Sequence, residues 1–212
     1  MPGKLIILGG VSSVGKTTLC RQIESAYGIS NKRLHKYILE AAKLKPMDEI
    51  LANWNRFMPD AVSLLAKDAG LEGALTCDIH FAVQPKLDTA YAMGSYFVED
   101  INEPYICGIE EDALKFFSGH SLSLYMLLFE ANVDEIMSRR IEEGKKGTKK
   151  PRSLNRQSIE NEMFYEREYF YKAVGIAIKY INPVVDVIKN ENGRLDRTLE
   201  RLVQICNLGG KI

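Results

Sequence analysis

The stretch from Leu5 to Cys20, "LIILGGVSSVGKTTLC", decides the reading of this chain. An apolar run predicts a strand over residues 4–9. It breaks into a glycine-bounded loop, Gly10–Gly15, and restarts as a helix expected from Lys16 to Tyr27. Leu19, Ile23 and Tyr27 share one face of that helix, and Gly28 stops it. Gly10, Val11, Ser12, Ser13, Val14, Gly15, Lys16 and Thr17, with Thr18 behind them, fit G-x-x-x-x-G-K-[ST] without a mismatch. From average residue usage, a chance match in a chain of this length is on the order of one per cent. The motif suits a phosphate. Glycines allow positive φ, so backbone N–H groups can point inward. The helix that follows offers unpaired N–H groups and a positive dipole end. Lys16 can reach the β and γ phosphates of a nucleotide, and the Thr17 hydroxyl can ligate Mg²⁺.

Working outward, 212 residues suffice for one α/β domain with a sizeable core. Hydrophobic residues are 46% and charged residues 26%, the balance of an ordinary soluble protein. Lys plus Arg equals Asp plus Glu, so the formal charge is zero, which argues against holding long nucleic acid by bulk electrostatics. No apolar run reaches membrane-span length, and "MPGKLIILGG" does not read as a signal peptide. The cysteines, 20, 77, 107 and 206, lack metal-ligand spacing and read as reduced, buried thiols of a cytoplasmic protein. Histidines 35, 80 and 120 are too scattered for a metal site.

Residues 31–69 read as helical, in two amphipathic segments, with Pro59 expected to kink or split the second. A short strand near 32–37 is compatible with the sequence. "GALTCDIHF" (73–81) reads as a buried strand ending in an acid. Residues 82–108 read as irregular or as a hairpin returning through "PYICGI", and "EEDALKFF" as a short helix. "SLSLYMLLFE" (121–130) is the most apolar strand, suited to an inner place in a parallel sheet. Asp134 then opens a helix, and a basic loop, "GKKGTKKPR", follows. A long helix from about Asn155 to Tyr180 turns Ile159, Met163, Phe170, Val174 and Ile178 inward. "PVVDVIKN" is a strand and "LDRTLERLVQIC" the closing helix. Strands alternating with helices imply βαβ crossovers and a parallel sheet covered on both faces.

A carboxylate at the end of a neighbouring strand sits near the metal of such a loop. Asp78 is the first choice and Glu130 the second. The basic run with Arg139, Arg140, Arg152 and Arg156 can be a solvated face or a flap that closes on phosphates. Arg140, Arg152 and Arg156 suit phosphate better than the lysines do, because a guanidinium fork matches its geometry.

The whole resembles the P-loop kinases of small metabolites, the nucleoside-monophosphate kinase group, and within it the archaeal-type adenylate kinases. Four pieces carry the likeness: "GGVSSVGKTT", "CDIH", the Asp and "RRI" leading into a short basic lid, and "VVDVIKNENGRLDRTLERL" after a long helix. The resemblance implies a three-layer P-loop fold over residues 1–212, with a five-stranded parallel sheet. It implies an acceptor-binding helical segment (about 31–70), an irregular insert (about 82–120) and a lid (about 139–156). It implies Mg²⁺ and ATP, with Arg140 contacting ATP and Arg152 and Arg156 closing on the transferred phosphoryl group. The acceptor side departs from the pattern. "LHKYILEAAK" lacks the usual arginine, so an acceptor-phosphate arginine from this region must be Arg33 or Arg56. His80 reads equally as an acceptor-pocket or a structural side chain. The glycine loop also resembles that of 2-phosphoglycerate kinases.

The leading expectation is therefore transfer of the γ-phosphoryl group of Mg²⁺-ATP to a small phosphorylated acceptor, AMP first. A nucleotide-dependent switch or ATPase and an RNA-associated factor remain the competing classes. A GTPase would need an Asn-Lys-x-Asp guanine reader, which the sequence lacks.

Overall fold

The computed structural model describes residues 2–43, 45–46, 49–50, 53–84, 104–146 and 153–208. Strand β1 (Gly3–Gly9) runs into the glycine loop and helix α1 (Lys16–Tyr27). Then come β2 (Ser30–Arg33), α2 (Leu34–Ala41), α3 (Trp54–Glu72) and β3 (Ala74–Asp78). Two-residue strands β4 (Ala82–Val83) and β5 (Ile106–Cys107) pair antiparallel. Helix α4 (Glu111–Ser118), β6 (Leu122–Glu130), α5 (Val133–Lys145), α6 (Arg156–Ala177), β7 (Val184–Lys189) and α7 (Leu195–Ile205) follow among the described residues.

The main sheet has five strands in the order β2-β3-β1-β6-β7, all parallel. Alternate side chains of a strand point to opposite faces, and both faces of β1 are buried. Leu5 and Ile7, with Leu75, Leu124 and Met126, pack under Ile38, Met58, Leu65, Phe117 and Phe170. Ile6 and Leu8, with Leu127 and Phe129, pack under Leu19, Ile23, Ile136, Ile159 and Leu202. Each fully buried side chain of this size contributes about 1.5–3 kcal/mol, so the two layers of helices hold the sheet from both sides. The apolar strand β6 takes the inner place expected of it, between β1 and β7.

Helix α6 has an unusual course. Ile159 near its start belongs to one core, while Phe170, Ala173, Val174 and Ala177 belong to the other. Its middle therefore passes the carboxyl edge of the sheet.

Four local expectations need correction. The segment after Gly28 pairs as a strand at Ser30–Arg33, earlier than residues 32–37, before the helices begin. Helix α3 continues through Pro59, the sixth residue of the helix. So near the amino end, the missing N–H removes a single intrahelical bond. Asn132 caps α5 in a capping box with Glu135, so Asp134 lies inside the first turn. Ile178 lies beyond α6 and is 59% exposed. The hairpin return through "PYICGI" survives as the β4–β5 ladder, and the expected "AYAMGSYFV" strand falls outside the described residues.

Candidate phosphate-binding site

Because every strand of the main sheet is parallel, their carboxyl ends meet at one edge, where ligands of open α/β sheets bind. That edge brings together the glycine loop after β1, Arg33 at the end of β2, Asp78 at the end of β3 and Asn190 after β7. A cleft of about 790 Å³ opens there, lined by residues 11–18, Arg33, His35, Asp78, His80, Arg139 and the 190–193 loop.

The loop has the backbone its sequence requires. Gly10, Ser13 and Gly15 adopt φ of 131°, 69° and 106°. Gly15 caps α1 without a side-chain hydrogen bond, which leaves the first N–H groups of α1 facing the cleft. A Cβ on Gly15 would overlap the Asn190 amide, and one on Gly10 the Phe129 carbonyl. Lys16 is 5% exposed. Its ammonium donates to the Gly10 carbonyl, and to that of Val11 at 3.3 Å. It lies 3.7 Å from Asp78 Oδ1. The Thr17 hydroxyl donates to Asp78 Oδ2 at 3.0 Å. A hydroxyl and a carboxylate this close, beside a helix amino end, fit the oxygen preference of Mg²⁺, which takes few protein ligands.

The wall around the loop comes from α5, α6 and the 190–193 loop. Arg139 donates to the Val14 carbonyl at 3.0 Å, to the Asn190 carbonyl at 2.8 Å and to Asn192 Oδ1 at 2.9 Å. The buried Asn190 amide donates to the Val14 carbonyl at 2.6 Å and accepts from Thr198. The Ser13 hydroxyl donates to Glu143 at 2.7 Å. From α6, Glu162 accepts from Ser12 N at 3.3 Å and Glu166 from Gly10 N at 2.7 Å. Glu166 is 2% exposed, and burial pushes its pKa up to about 7, against the lowering influence of Lys16 and its backbone donors. Burial, then Arg33 and Lys36, lowers the pKa of His35, which favours the neutral imidazole.

The structure thus brings Lys16, Thr17, Asp78, Arg33 and His80 to one cleft. Of the other named side chains within the described residues, Arg140, Arg156, Arg56 and Glu130 do not line it. Arg140, expected at ATP, is 5% exposed and points beneath the loop. It pairs with Glu162 at 2.6 Å and donates to the Ser153 and Ser12 carbonyls. Its neighbour Arg139 lines the cleft. Arg156 opens α6, exposed and paired with Asp134 and Glu160. Arg56 is exposed on α3, outside the residues lining the cleft. Glu130 is held by Arg167 at 2.6 Å, also outside the lining. Arg152 and most of the basic loop fall outside the described residues. Sequence reasoning passed over Glu162, Glu166 and Asn190, and it named His35 only among scattered histidines and Arg139 only within the basic run. Among the described residues there is no cluster of three metal-binding side chains, and no helix is long and apolar enough to cross a membrane.

No family model and no curated protein matches the chain. Solved structures do. A candidate kinase from Chloroflexus aurantiacus superposes with a TM-score of 0.51 at 10% identity, over 96% of this chain and 98% of that one. A shikimate kinase from Bacteroides thetaiotaomicron gives 0.49 at 13%, over 98% and 99%. A sugar kinase from Janibacter gives 0.48 at 12%, over 98% and 96%. At such identities the likeness concerns the fold alone. The Chloroflexus likeness, the glycine loop and the parallel β2-β3-β1-β6-β7 sheet together give an α/β P-loop fold.

Proposed function

We propose that the protein is a small-molecule kinase that transfers the γ-phosphoryl group of ATP to a small anionic acceptor. The observation that carries this reading is one continuous cleft. Lys16, the Thr17–Asp78 pair, Arg33, His35 and His80 all line it, with Arg33 at the end of β2 beside Asp78 at the end of β3. Its size lies within the range of sites for small ligands. Thr17 and Asp78 would hold Mg²⁺, which neutralises charge on the phosphates when bound. Lys16 holds the phosphates, the loop N–H groups orient them, and Arg139 with the 190–193 loop borders the nucleotide side.

The state of Asp78 favours an acceptor that is already anionic. Its oxygens face the Thr17 hydroxyl and the Lys16 ammonium. Both oxygens are thus already engaged, and a hydroxyl acceptor would ask for a carboxylate free to take its proton. A phosphate acceptor asks for none and would be met by Arg33. Nucleoside monophosphates, AMP first, are the leading class, and other phosphorylated metabolites are next.

The test is ADP formation from Mg²⁺-ATP with AMP, CMP, UMP, GMP, 2-phosphoglycerate and phosphorylated sugars as acceptors. Fast turnover with one acceptor supports the reading. Slow hydrolysis indifferent to all of them would favour a nucleotide-dependent switch. Stimulation by RNA that is lost as salt rises would favour the RNA-associated class.

A further inference from the structure

The buried carboxylate of Glu166 touches two loops that have no sequence connection to α6. Oε1 accepts from Gly10 N at 2.7 Å and from Phe81 N at 3.0 Å, and Oε2 accepts from Ala82 N at 2.8 Å. Gly10 opens the phosphate loop. Phe81 ends the turn after β3 that carries His80, a residue lining the same cleft, and Ala82 opens β4. Three donors with no bound proton to place suit an ionised carboxylate, which only accepts. Leaving three buried N–H groups without a partner would be expensive.

The packing around the carboxylate tightens the same joint. The Phe81 ring lies against Gly9, where a Cβ would overlap it, and meets Phe170 of α6 edge-on at 5.1 Å. Gly108 donates to the Phe81 carbonyl at 2.7 Å, and a Cβ on Gly108 would overlap the His80 carbonyl. The turn after β3 is thus clamped between the phosphate loop, α6 and β5. A shift of the phosphate loop at Gly10 has a stiff route to His80 through one side chain.

We propose that Glu166 is a positioning residue that couples the phosphate loop to the acceptor-side turn, so that a nucleotide on the loop orders residues 79–84. The coupling rests on the nucleotide-binding half of the function proposed above and needs no knowledge of the acceptor. Glu166 touches no reacting atom and acts only through the backbone it holds.

Hydrogen exchange reads this directly. In the wild-type chain, ADP should slow amide exchange at least fivefold in peptides covering residues 10–17 and also in those covering 79–84. In Glu166→Gln the carboxamide has one acceptor oxygen for three donors. ADP should then still protect 10–17, with the effect on 79–84 falling below twofold. Glu166→Asp keeps the charge on a shorter stem and should retain part of the coupling, and it serves if the glutamine variant does not fold. Protection of 10–17 without 79–84 in the wild type overturns the coupling and leaves nucleotide binding intact. Equal protection of 79–84 in wild type and both variants also overturns it, since the route then bypasses Glu166. Failure of ADP to protect 10–17 in the wild type overturns the nucleotide reading and the coupling with it.

Discussion

The Thr17 hydroxyl donates to Asp78 across 3.0 Å, joining the first turn of α1 to the end of β3. The bond fixes two oxygens of different chemistry side by side at the amino end of a helix, where positive potential already favours phosphate. Asp78→Asn keeps the shape and removes the charge that would retain a divalent cation. The expected outcome is a fall in kcat/KM of about a hundredfold or more, the scale of losing one oriented electrostatic group. ADP affinity measured without Mg²⁺ should change little, and the Mg²⁺-dependent gain in affinity should vanish. Titration calorimetry with and without the metal checks both.

Lys16 is buried and holds its ammonium against the loop's own carbonyls and Asp78. Lys16→Ala should abolish phosphoryl transfer while circular dichroism and cooperative unfolding persist, because the two cores do not include this side chain. Transfer at near wild-type rate would remove Lys16 from the active site.

Arg33 and Arg56 were the two arginines the sequence offered for the acceptor, and the fold separates them. Arg33 lines the cleft at the end of β2, and Arg56 lies outside that lining on α3. Arg33→Gln should raise the acceptor KM by about 10–100-fold, the worth of a charge-assisted hydrogen bond. Arg56→Gln should leave it within twofold. Steady-state kinetics with the acceptor found by the panel decides the assignment.

Much of the fold could be read from the chain because its signals are local. Strong periodicity and glycine punctuation predict α1 from about Lys16 to the stop at Gly28, and the helix runs Lys16–Tyr27. The apolar run 121–130 predicts an inner strand, and the GKT motif predicts the cradle. What escaped depends on packing between distant segments. The inward stripe of α6 was read as Ile159, Met163, Phe170, Val174 and Ile178, with a gap between 163 and 170. Glu166 fills that gap. A glutamate within an apolar stripe is a signal of a buried acceptor with specific partners, but its partners, Gly10 and Phe81, lie 156 and 85 residues away. Likewise, "RR" at 139–140 gives no clue to which arginine faces the cleft. The helix decides, turning Arg139 toward Val14 and Asn190 and Arg140 toward Glu162.

Glycine positions separate strain from open space. At Gly15, φ is 106° and a Cβ would overlap Asn190 Nδ2. Gly15→Ala should therefore cost at least about 1–2 kcal/mol from the backbone alone and weaken ADP binding, since the loop must distort. Gly175, inside α6, has nothing within 4 Å of a built Cβ. Gly175→Ala should stabilise the chain by about 0.5–1 kcal/mol through helix propensity. Urea denaturation of both variants should show opposite signs.

The pH dependence of stability offers a separate view of Glu166. Its pKa in the folded chain is about 7, against an ordinary 4.5. Burial raises it. Lys16 from α1 faces it and lowers it, as do the N–H groups of Gly10, Phe81 and Ala82, while the Cys107 thiol of β5 feels its charge. Between those two pKa values the folded chain holds a proton that the unfolded chain has released, so this group makes stability fall as pH rises. Its contribution is full below the unfolded pKa and lost as pH rises through the folded one, a total of about 3 kcal/mol at 1.36 kcal/mol per unit. The urea midpoint of Glu166→Gln, compared with wild type from pH 4.5 to 8, should lack this part of the slope. The same titration works the other way on the loops. Relative to a local opening that breaks only the three N–H bonds and leaves the carboxylate buried, those bonds lower the pKa, so ionisation tightens the joint between Gly10 and the turn after β3 even as the global fold loses stability. Exchange at the Gly10, Phe81 and Ala82 amides, corrected for the intrinsic effect of pH, should slow from pH 6 to pH 8 in the wild type and not in the glutamine variant. A parallel loss of protection at these amides and in the cores of the sheet would show that Glu166 titrates as part of the global fold alone.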